Sequence, residues 1–154
     1  MKLLGQDIAP LGMGCWAIGG DMFIGEESHG YANANDDDSI KTIHTALDAG
    51  VTLFDTAIAY GAGHAERLLG EALKGRTDAI IISKLGMAID EKSRHLLGDY
   101  TDGESVRAAI EESLRRLQRD RVDIMLLHLN ALPVPDARPM FEEMEKARQA
   151  GKIR

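Results

Sequence analysis

The sequence predicts an α/β fold in which a short N-terminal β-hairpin precedes four β-α units. Two observations support this prediction. Short apolar runs rich in Ile, Val and Leu recur along the chain, as expected for the buried strands of a parallel sheet. Segments with apolar residues at helical spacing follow these runs, and each unit of about 30–45 residues suits a right-handed βαβ crossover.

The predicted strands follow one another in a simple order. A hairpin is predicted around residues 5–7 and a first buried strand at residues 11–15, although two glycines weaken that strand. The other three strands are apolar runs, and each ends in an ionisable residue of a different kind. They are residues 51–55, ending in Asp55, residues 79–84, ending in Lys84, and residues 124–128, ending in His128.

Four helices are predicted to alternate with these strands. The first begins at the acidic run 36–38, which supplies N-cap candidates and first-turn anions. The third begins with a candidate capping box at residues 101–104, and the fourth follows Pro139. Glycines are predicted to end the first, second and fourth helices, at Gly50, Gly75 and Gly151.

Two connecting segments are predicted to be irregular. The longer one, residues 17–35, is rich in Gly, Asn and Asp, and loops of this length are commonly lids or binding segments. Met22 and Phe23 within it are candidates for folding over the rim of the sheet. The mixed-charge segment 90–94 is predicted to be a solvated loop.

Composition limits the classes of protein to which the chain can belong. With 154 residues, 44% hydrophobic and 28% charged, it suits one soluble globular domain spanning residues 1–154. The net charge of −7, without a basic stripe, argues against nucleic acid as a partner. The single Cys15 excludes an internal disulfide. The chain shows neither a signal peptide nor an apolar run of membrane-spanning length, so we expect a cytoplasmic protein without a membrane partner.

The carboxyl ends of the predicted strands are where chemistry is expected, because α/β sheets and barrels place their active sites there. Each candidate residue also has an ordinary structural interpretation. Asp55 suits a turn or cap, and Lys84 suits a stem packed on apolar surface. His128 suits a hydrogen-bonded core histidine. Tyr60, five residues after Asp55, suits a half-buried ring with its hydroxyl in water.

Taken together, these four side chains predict a reaction. A phenol is a weak proton donor at neutral pH, and a nearby ammonium such as that of Lys84 stabilises the phenolate and makes Tyr60 a better donor. The carboxylate of Asp55 can hold the ammonium in place. The imidazole of His128 can donate a hydrogen bond to a carbonyl oxygen as negative charge develops. This set is suited to reducing a carbonyl by hydride from a nicotinamide, with Tyr60 delivering the proton.

Four parts of the chain resemble motifs of a known family. They are residues 12–16; residues 54–61 together with Glu66 and residues 69–70; residues 82–84; and residues 123–128. By these segments the chain resembles the N-terminal half of the aldo-keto reductases, NADPH-dependent enzymes on a TIM barrel entered through a β-hairpin. The resemblance covers essentially the whole chain. It implies reduction of a small-molecule aldehyde or ketone to an alcohol by a catalytic tetrad of Asp55, Tyr60, Lys84 and His128.

The same resemblance implies which residues contact the ligands. Contacts to the nicotinamide end of NADPH are implied at Gly14, Cys15, Trp16 and Asp55. Contacts to the substrate are implied at Trp16, Tyr60 and His128. The structural alternatives are hydrophobic plugging of the barrel mouth by Trp16 and a small buried hydrophobe at Cys15.

Other motifs in the chain do not support a different chemistry. The pair Gly61 and Gly63 suggests a dinucleotide fingerprint, but Glu66 stands where the third glycine is required. The histidines and the single cysteine show no zinc-binding spacing, so no metal is expected. The expectation of NADPH in preference to NADH rests on the family resemblance alone.

Four β-α units are half of an eight-fold barrel, for which about 250 residues is usual. The sequence ends at residues 151–154, where a fifth strand is predicted to begin. We expect first that the chain is truncated relative to a full reductase, whose other half carries the remaining cofactor contacts. The alternatives are a homodimer of half barrels that closes the barrel, and a noncatalytic half-barrel module with a binding or structural role.

Overall fold

The computed structural model describes residues 1–154 and confirms the predicted α/β fold. The strands are β1 (Lys2–Leu3), β2 (Gln6–Asp7), β3 (Met13–Gly14), β4 (Phe23–Ile24), β5 (Glu27–Ser28), β6 (Leu53–Asp55), β7 (Ile80–Leu85), β8 (Met87–Asp90), β9 (His95–Asp99) and β10 (Ile124–Leu127). The helices are α1 (Asp36–Asp48), α2 (His64–Ala72), α3 (Gly103–Leu117) and α4 (Arg138–Gln149), with a 3-10 turn at Ala17–Gly19.

The main sheet contains the four strands that the apolar runs predict. Its order is β10-β7-β6-β3, and all neighbouring strands are parallel. The predicted hairpin, β1 with β2, turns through Leu4 and Gly5, both at positive φ. One further parallel bridge joins Val122 to Ile153, which places residue 153 beside the amino-terminal side of β10, as expected for the start of a fifth strand.

The four predicted helices, α1 to α4, form one layer in which each helix contacts the next. The acidic run 36–38 lies in the first turn of α1 as predicted, and the N-cap is Asn35, whose side chain accepts from Asp38 N at 3.1 Å. Helix α3 is capped by Asp102, which accepts from Ser105 N at 2.8 Å, rather than by a capping box at 101–104.

The hydrophobic core lies between the main sheet and this helix layer. Phe54, Ile81 and Leu85 are fully buried from the sheet side, and Leu69 and Ile110 are buried from the helix side. Burying each such side chain stabilises the fold by roughly 1.5–3 kcal/mol relative to exposure. The core therefore fixes the sheet whose carboxyl edge carries the candidate site.

The prediction of an irregular segment at residues 17–35 was wrong in part, because this segment contains two strands, whereas residues 91–94 form the turn between β8 and β9, in agreement with the predicted loop. Strands β4 and β5 lie within residues 17–35, and β8 and β9 lie after Lys84, and together they form a second sheet of order β5-β4-β9-β8. Met22 is buried, and the Phe23 ring stacks on His95 with centroids 5.4 Å apart. These strands have two to five residues, so they carry little periodic signal.

The segment 90–94 is also less solvated than predicted, because Glu91 accepts from Arg116 Nη1 at 2.7 Å and Arg94 donates to two backbone carbonyls. None of the four helices combines the length and the apolar character that a membrane span needs.

Candidate active site

The four predicted catalytic residues lie together at the carboxyl edge of the main sheet. Asp55 is the last residue of β6, Lys84 lies one residue before the end of β7, and His128 directly follows β10. Because these strands are parallel neighbours, their carboxyl ends share one edge. Tyr60 reaches the same edge from the turn between β6 and α2, where its carbonyl accepts from Ala65 N at 3.2 Å.

The ammonium of Lys84 is the centre of this group. Its Nζ donates to Asp55 Oδ1 at 2.6 Å, to Thr56 O at 2.8 Å and to Tyr60 Oη at 3.0 Å. An ammonium has three N–H donors, so all three are used and the orientation of the group is fixed. The Lys84 side chain is only 14% exposed, whereas that of Asp55 is 42% exposed and open to the rim.

The imidazole of His128 packs edge-on against the Tyr60 ring, with centroids 5.7 Å apart and an interplanar angle of 81°. Burial lowers the pKa of His128, and the Lys84 charge lowers it further, while Asp55 opposes both effects. His128 is therefore held in its neutral form near neutral pH. Its Nδ1 is buried without a partner, and because an unpaired donor costs more than an unpaired acceptor, we assign the proton to Nε2.

Aromatic rings form one wall of the site. Trp16 is 45% exposed and stacks on Tyr60, with centroids 6.2 Å apart. Tyr31, which the sequence patterns do not single out, meets Trp16 edge-on at 5.6 Å. Its position becomes visible only in the fold, because residues 17–35 carry no periodic signal. The three rings leave the indole of Trp16 partly exposed beside the phenol of Tyr60.

Gly14 and Cys15 differ in how they could meet a ligand. Gly14 is exposed, and a Cβ built there would meet nothing within 4 Å, so its backbone is open to the rim. Cys15 is fully buried, and burial, followed by the Asp55 charge, raises its pKa to about 12 against an opposing effect of Lys84. Its thiol is therefore unreactive. This agrees with the structural alternative, in which Cys15 is a small buried hydrophobic residue, and its contact with the cofactor stays a prediction.

The donor set fits the nicotinamide end of a dinucleotide cofactor. It combines a partly exposed indole at Trp16, an open backbone at Gly14 and a proton donor at Tyr60. The hydroxyl of Thr56 is also buried without a partner, directly after Asp55. These groups suit a flat amide-bearing ring placed beside a carbonyl substrate.

Comparison with known proteins agrees with this chemistry. The family model described as "Aldo/keto reductase family" matches residues 10–154. The chain belongs to this family. It is 37% identical over 152 residues to the aldo-keto reductase YhdN of Bacillus subtilis (strain 168), covering 97% of this chain and 43% of that protein. It is 32% identical over 162 residues to the NADH-specific methylglyoxal reductase of Escherichia coli (strain K12), covering 96% of this chain and 47% of that protein.

Solved structures of the family superpose on the same region. The glycerol dehydrogenase AKR11B4 from Gluconobacter oxydans matches with a TM-score of 0.75 and 34% identity, over 99% of this chain and 46% of that one. The chain thus spans about half the length of the aldo-keto reductases it matches.

This aldo-keto reductase chain also contains a buried ion pair away from the candidate active site, which the sequence patterns did not predict. Glu66 is fully buried on the helix side of the main sheet and forms an ion pair with Arg116, at 2.7 Å between Oε2 and Nε. The sequence shows Glu66 only as part of a family motif. Its partner lies 50 residues later, and no local pattern connects the two.

Proposed function

We propose that this chain supplies the proton-transfer half of an NADPH-dependent carbonyl reductase, which converts an aldehyde or ketone to an alcohol. The observation that carries the proposal is the position of the Lys84 ammonium, 2.6 Å from Asp55 Oδ1 and 3.0 Å from Tyr60 Oη. A structural lysine does not need a phenol as its third partner. A phenol that must lose a proton needs a fixed cation beside it.

The side chains act in the following way on a carbonyl oxygen placed between Tyr60 and His128. When bound, the nicotinamide supplies the hydride that reduces the carbonyl carbon. The Tyr60 hydroxyl transfers its proton to the oxygen, and the Lys84 ammonium stabilises the phenolate that remains. The neutral imidazole of His128 donates from Nε2 to the same oxygen as charge develops. Asp55 keeps the ammonium in place, and Trp16 excludes water from one side.

The preference for NADPH is supported by the resemblance to the family and by no residue of this half. One relative is described as NADH-specific, so the two cofactors are alternatives that a direct comparison must separate. Gly14, Trp16 and Asp55 are the residues we propose to meet the nicotinamide end. The substrate, a small aldehyde or ketone, would rest against the ring of Trp16.

The full reaction is proposed for this chain together with a second half barrel. Leu126 of β10 is 42% exposed, and β10 and β3 are the two edge strands of the main sheet. Edge strands of this kind are normally paired or covered. A C-terminal half would cover them, and the alternative is a second copy of this chain related by a two-fold axis. Light scattering distinguishes these cases, because a free chain has a mass of 16.8 kDa and a dimer has twice that mass.

The experiment that tests the proposal follows NADPH oxidation with a panel of aldehydes, using residues 1–154 joined to a C-terminal half barrel. Replacing Tyr60 by Phe removes the proton donor and should lower the rate by about 10²–10⁴-fold. NADH is compared in parallel. An undiminished rate in Tyr60→Phe would exclude Tyr60 as the acid, and a failure of the wild-type protein to bind either cofactor would favour the noncatalytic module.

A further inference from the structure

A buried polar cluster lies on the opposite side of β7 from the candidate active site. We call it the Glu66 cluster, and it consists of Glu66, Ser83, Ser113 and Arg116. Oε1 of Glu66 accepts from Ser83 Oγ and from Ser113 Oγ, both at 2.6 Å. Oε2 accepts from Arg116 Nε at 2.7 Å. The cluster thereby joins β7 to both α2 and α3, and all four residues are buried.

Stability alone gives a weak reason for such a cluster. Burying a carboxylate and a guanidinium costs desolvation energy, and apolar residues of similar volume often replace a buried ion pair without loss of stability. Hydrogen bonds with charged partners differ from apolar packing because they are directional and short. A cluster of this kind therefore sets relative positions more sharply than apolar contacts would.

The positions that the Glu66 cluster sets are those of the catalytic residues. Ser83 directly precedes Lys84, and the two side chains point to opposite faces of β7 because side chains alternate along a strand. Glu66 lies in the first turn of α2, and Ala65 of the same turn donates its backbone N–H to the carbonyl of Tyr60. The cluster therefore connects the backbone near Tyr60 to the backbone at Lys84.

The arginine of the cluster is itself fixed from its outer side. Arg116 Nη1 donates to Glu91 Oε1 at 2.7 Å, and Glu91 also pairs with Arg67. A Cβ added at Gly63, which has a φ of 88°, would lie 2.8 Å from Arg116 Cδ, so the backbone there closes tightly over the side chain. Because Arg116 cannot shift easily, Glu66 is held between a fixed guanidinium and Ser83.

We propose that Glu66 is a positioning residue, which acts through Ser83 to set the distance between Lys84 Nζ and Tyr60 Oη. The inference rests on the proposed function, because it gives that distance a role in proton transfer. Glu66 does not touch the reacting atoms. Any displacement of β7 at Ser83 is passed along the strand to Lys84, whereas a displacement at Ser113 moves α3 and reaches Lys84 only indirectly.

The two serines provide a matched pair for the test. Ser83 and Ser113 are both fully buried, and each donates to the same oxygen at 2.6 Å. Ser83→Ala and Ser113→Ala should therefore reduce the stability of the 154-residue chain by similar amounts. If the cluster positions Lys84, only Ser83→Ala should loosen the contacts of its ammonium.

The readout is hydrogen exchange of the Lys84 ammonium, followed by NMR on chain labelled with 15Nζ-lysine, with the signal assigned by Lys84→Arg. The three hydrogen bonds of Nζ should protect this group in the wild-type chain. Loss of a hydrogen bond worth about 1 kcal/mol corresponds to exchange faster by about three- to tenfold, which we expect in Ser83→Ala and not in Ser113→Ala. If Ser83→Ala does not fold, Ser83→Cys and Ser113→Cys, which keep the size of the residue, give the same comparison.

The outcomes separate this inference from the proposed function. Equal exchange rates in the two serine variants would overturn the positioning role of Glu66 while leaving the protected Lys84 contacts, and the proposed function, in place. A wild-type chain without a protected Lys84 ammonium would contradict the Lys84–Tyr60 contact itself, and with it both proposals.

Discussion

Gly61 allows a quantitative test of how the aromatic wall is held against Tyr60. Gly61 directly follows Tyr60 and has a φ of 59°, in the left-handed region. A Cβ built on it would lie 2.0 Å from the carbonyl oxygen of Gly19, in the 3-10 turn next to Trp16. Real Cβ atoms keep at least 3.0 Å from such neighbours, so Gly61→Ala must separate the two segments by about 1 Å.

The cost of Gly61→Ala has two parts. A non-glycine residue in the left-handed region costs about 1–2 kcal/mol, and forced displacement of packed groups costs about 1–3 kcal/mol more. Gly75, with a φ of 79° and open space around its Cβ, is the matched control and should show only the first part. We therefore expect Gly61→Ala to lower the free energy of unfolding by about 1–3 kcal/mol more than Gly75→Ala.

The assay is urea denaturation followed by the fluorescence of Trp16, which is the single tryptophan of the chain. Before unfolding, Gly61→Ala should also change the emission of Trp16, because separation of the two segments moves its ring from the Tyr60 ring. Equal stability losses in Gly61→Ala and Gly75→Ala, with unchanged Trp16 emission, would refute the close packing of Gly19 on Gly61.

Three further predictions follow from the site and its helices. Burial lowers the pKa of His128 in the folded chain, so between that lowered value and the ordinary 6.5 the unfolded chain binds more protons. The free energy of unfolding should therefore fall as the pH drops below about 6.5. Denaturation curves of His128→Asn should lack this part of the pH dependence. NADPH should quench Trp16 emission on binding if the indole faces the nicotinamide, and Trp16→Phe should weaken NADPH binding measured by cofactor fluorescence. Asn35→Ala removes the cap of α1 and should lower the free energy of unfolding by about 1 kcal/mol in chemical denaturation. The control Asn33→Ala, at an exposed residue that caps no helix, should change the free energy of unfolding little.

The proximity of the four predicted catalytic residues could be anticipated from the sequence because it follows from the strand pattern. Runs such as 79–84 are apolar on both faces, which indicates a parallel sheet, and the ends of parallel neighbours must share an edge. Once Asp55, Lys84 and His128 end such runs, their proximity needs no further information. Tyr60 follows closely enough after Asp55 to reach the same edge.

The second sheet and the Glu66 cluster could not be predicted in this way. Strand β4 pairs with β9 through Phe23 and His95, which are far apart in the sequence and belong to strands too short for a period of two to be visible. A glutamate in a helix is normally exposed, so the burial of Glu66 depends on Arg116, Ser83 and Ser113, which only the packed helix layer brings together.

The contacts of the Lys84 ammonium lie within a single β-α-β unit, and this explains how half a barrel can hold them. Asp55 ends β6, and Thr56 and Tyr60 lie in the segment that joins β6 to α2. The backbone bonds from Thr56 N to Ile82 O and from Ile58 N to Lys84 O extend the pairing of β6 with β7 up to the site. The geometry around the Lys84 ammonium therefore depends on neighbouring units and not on closure of the barrel.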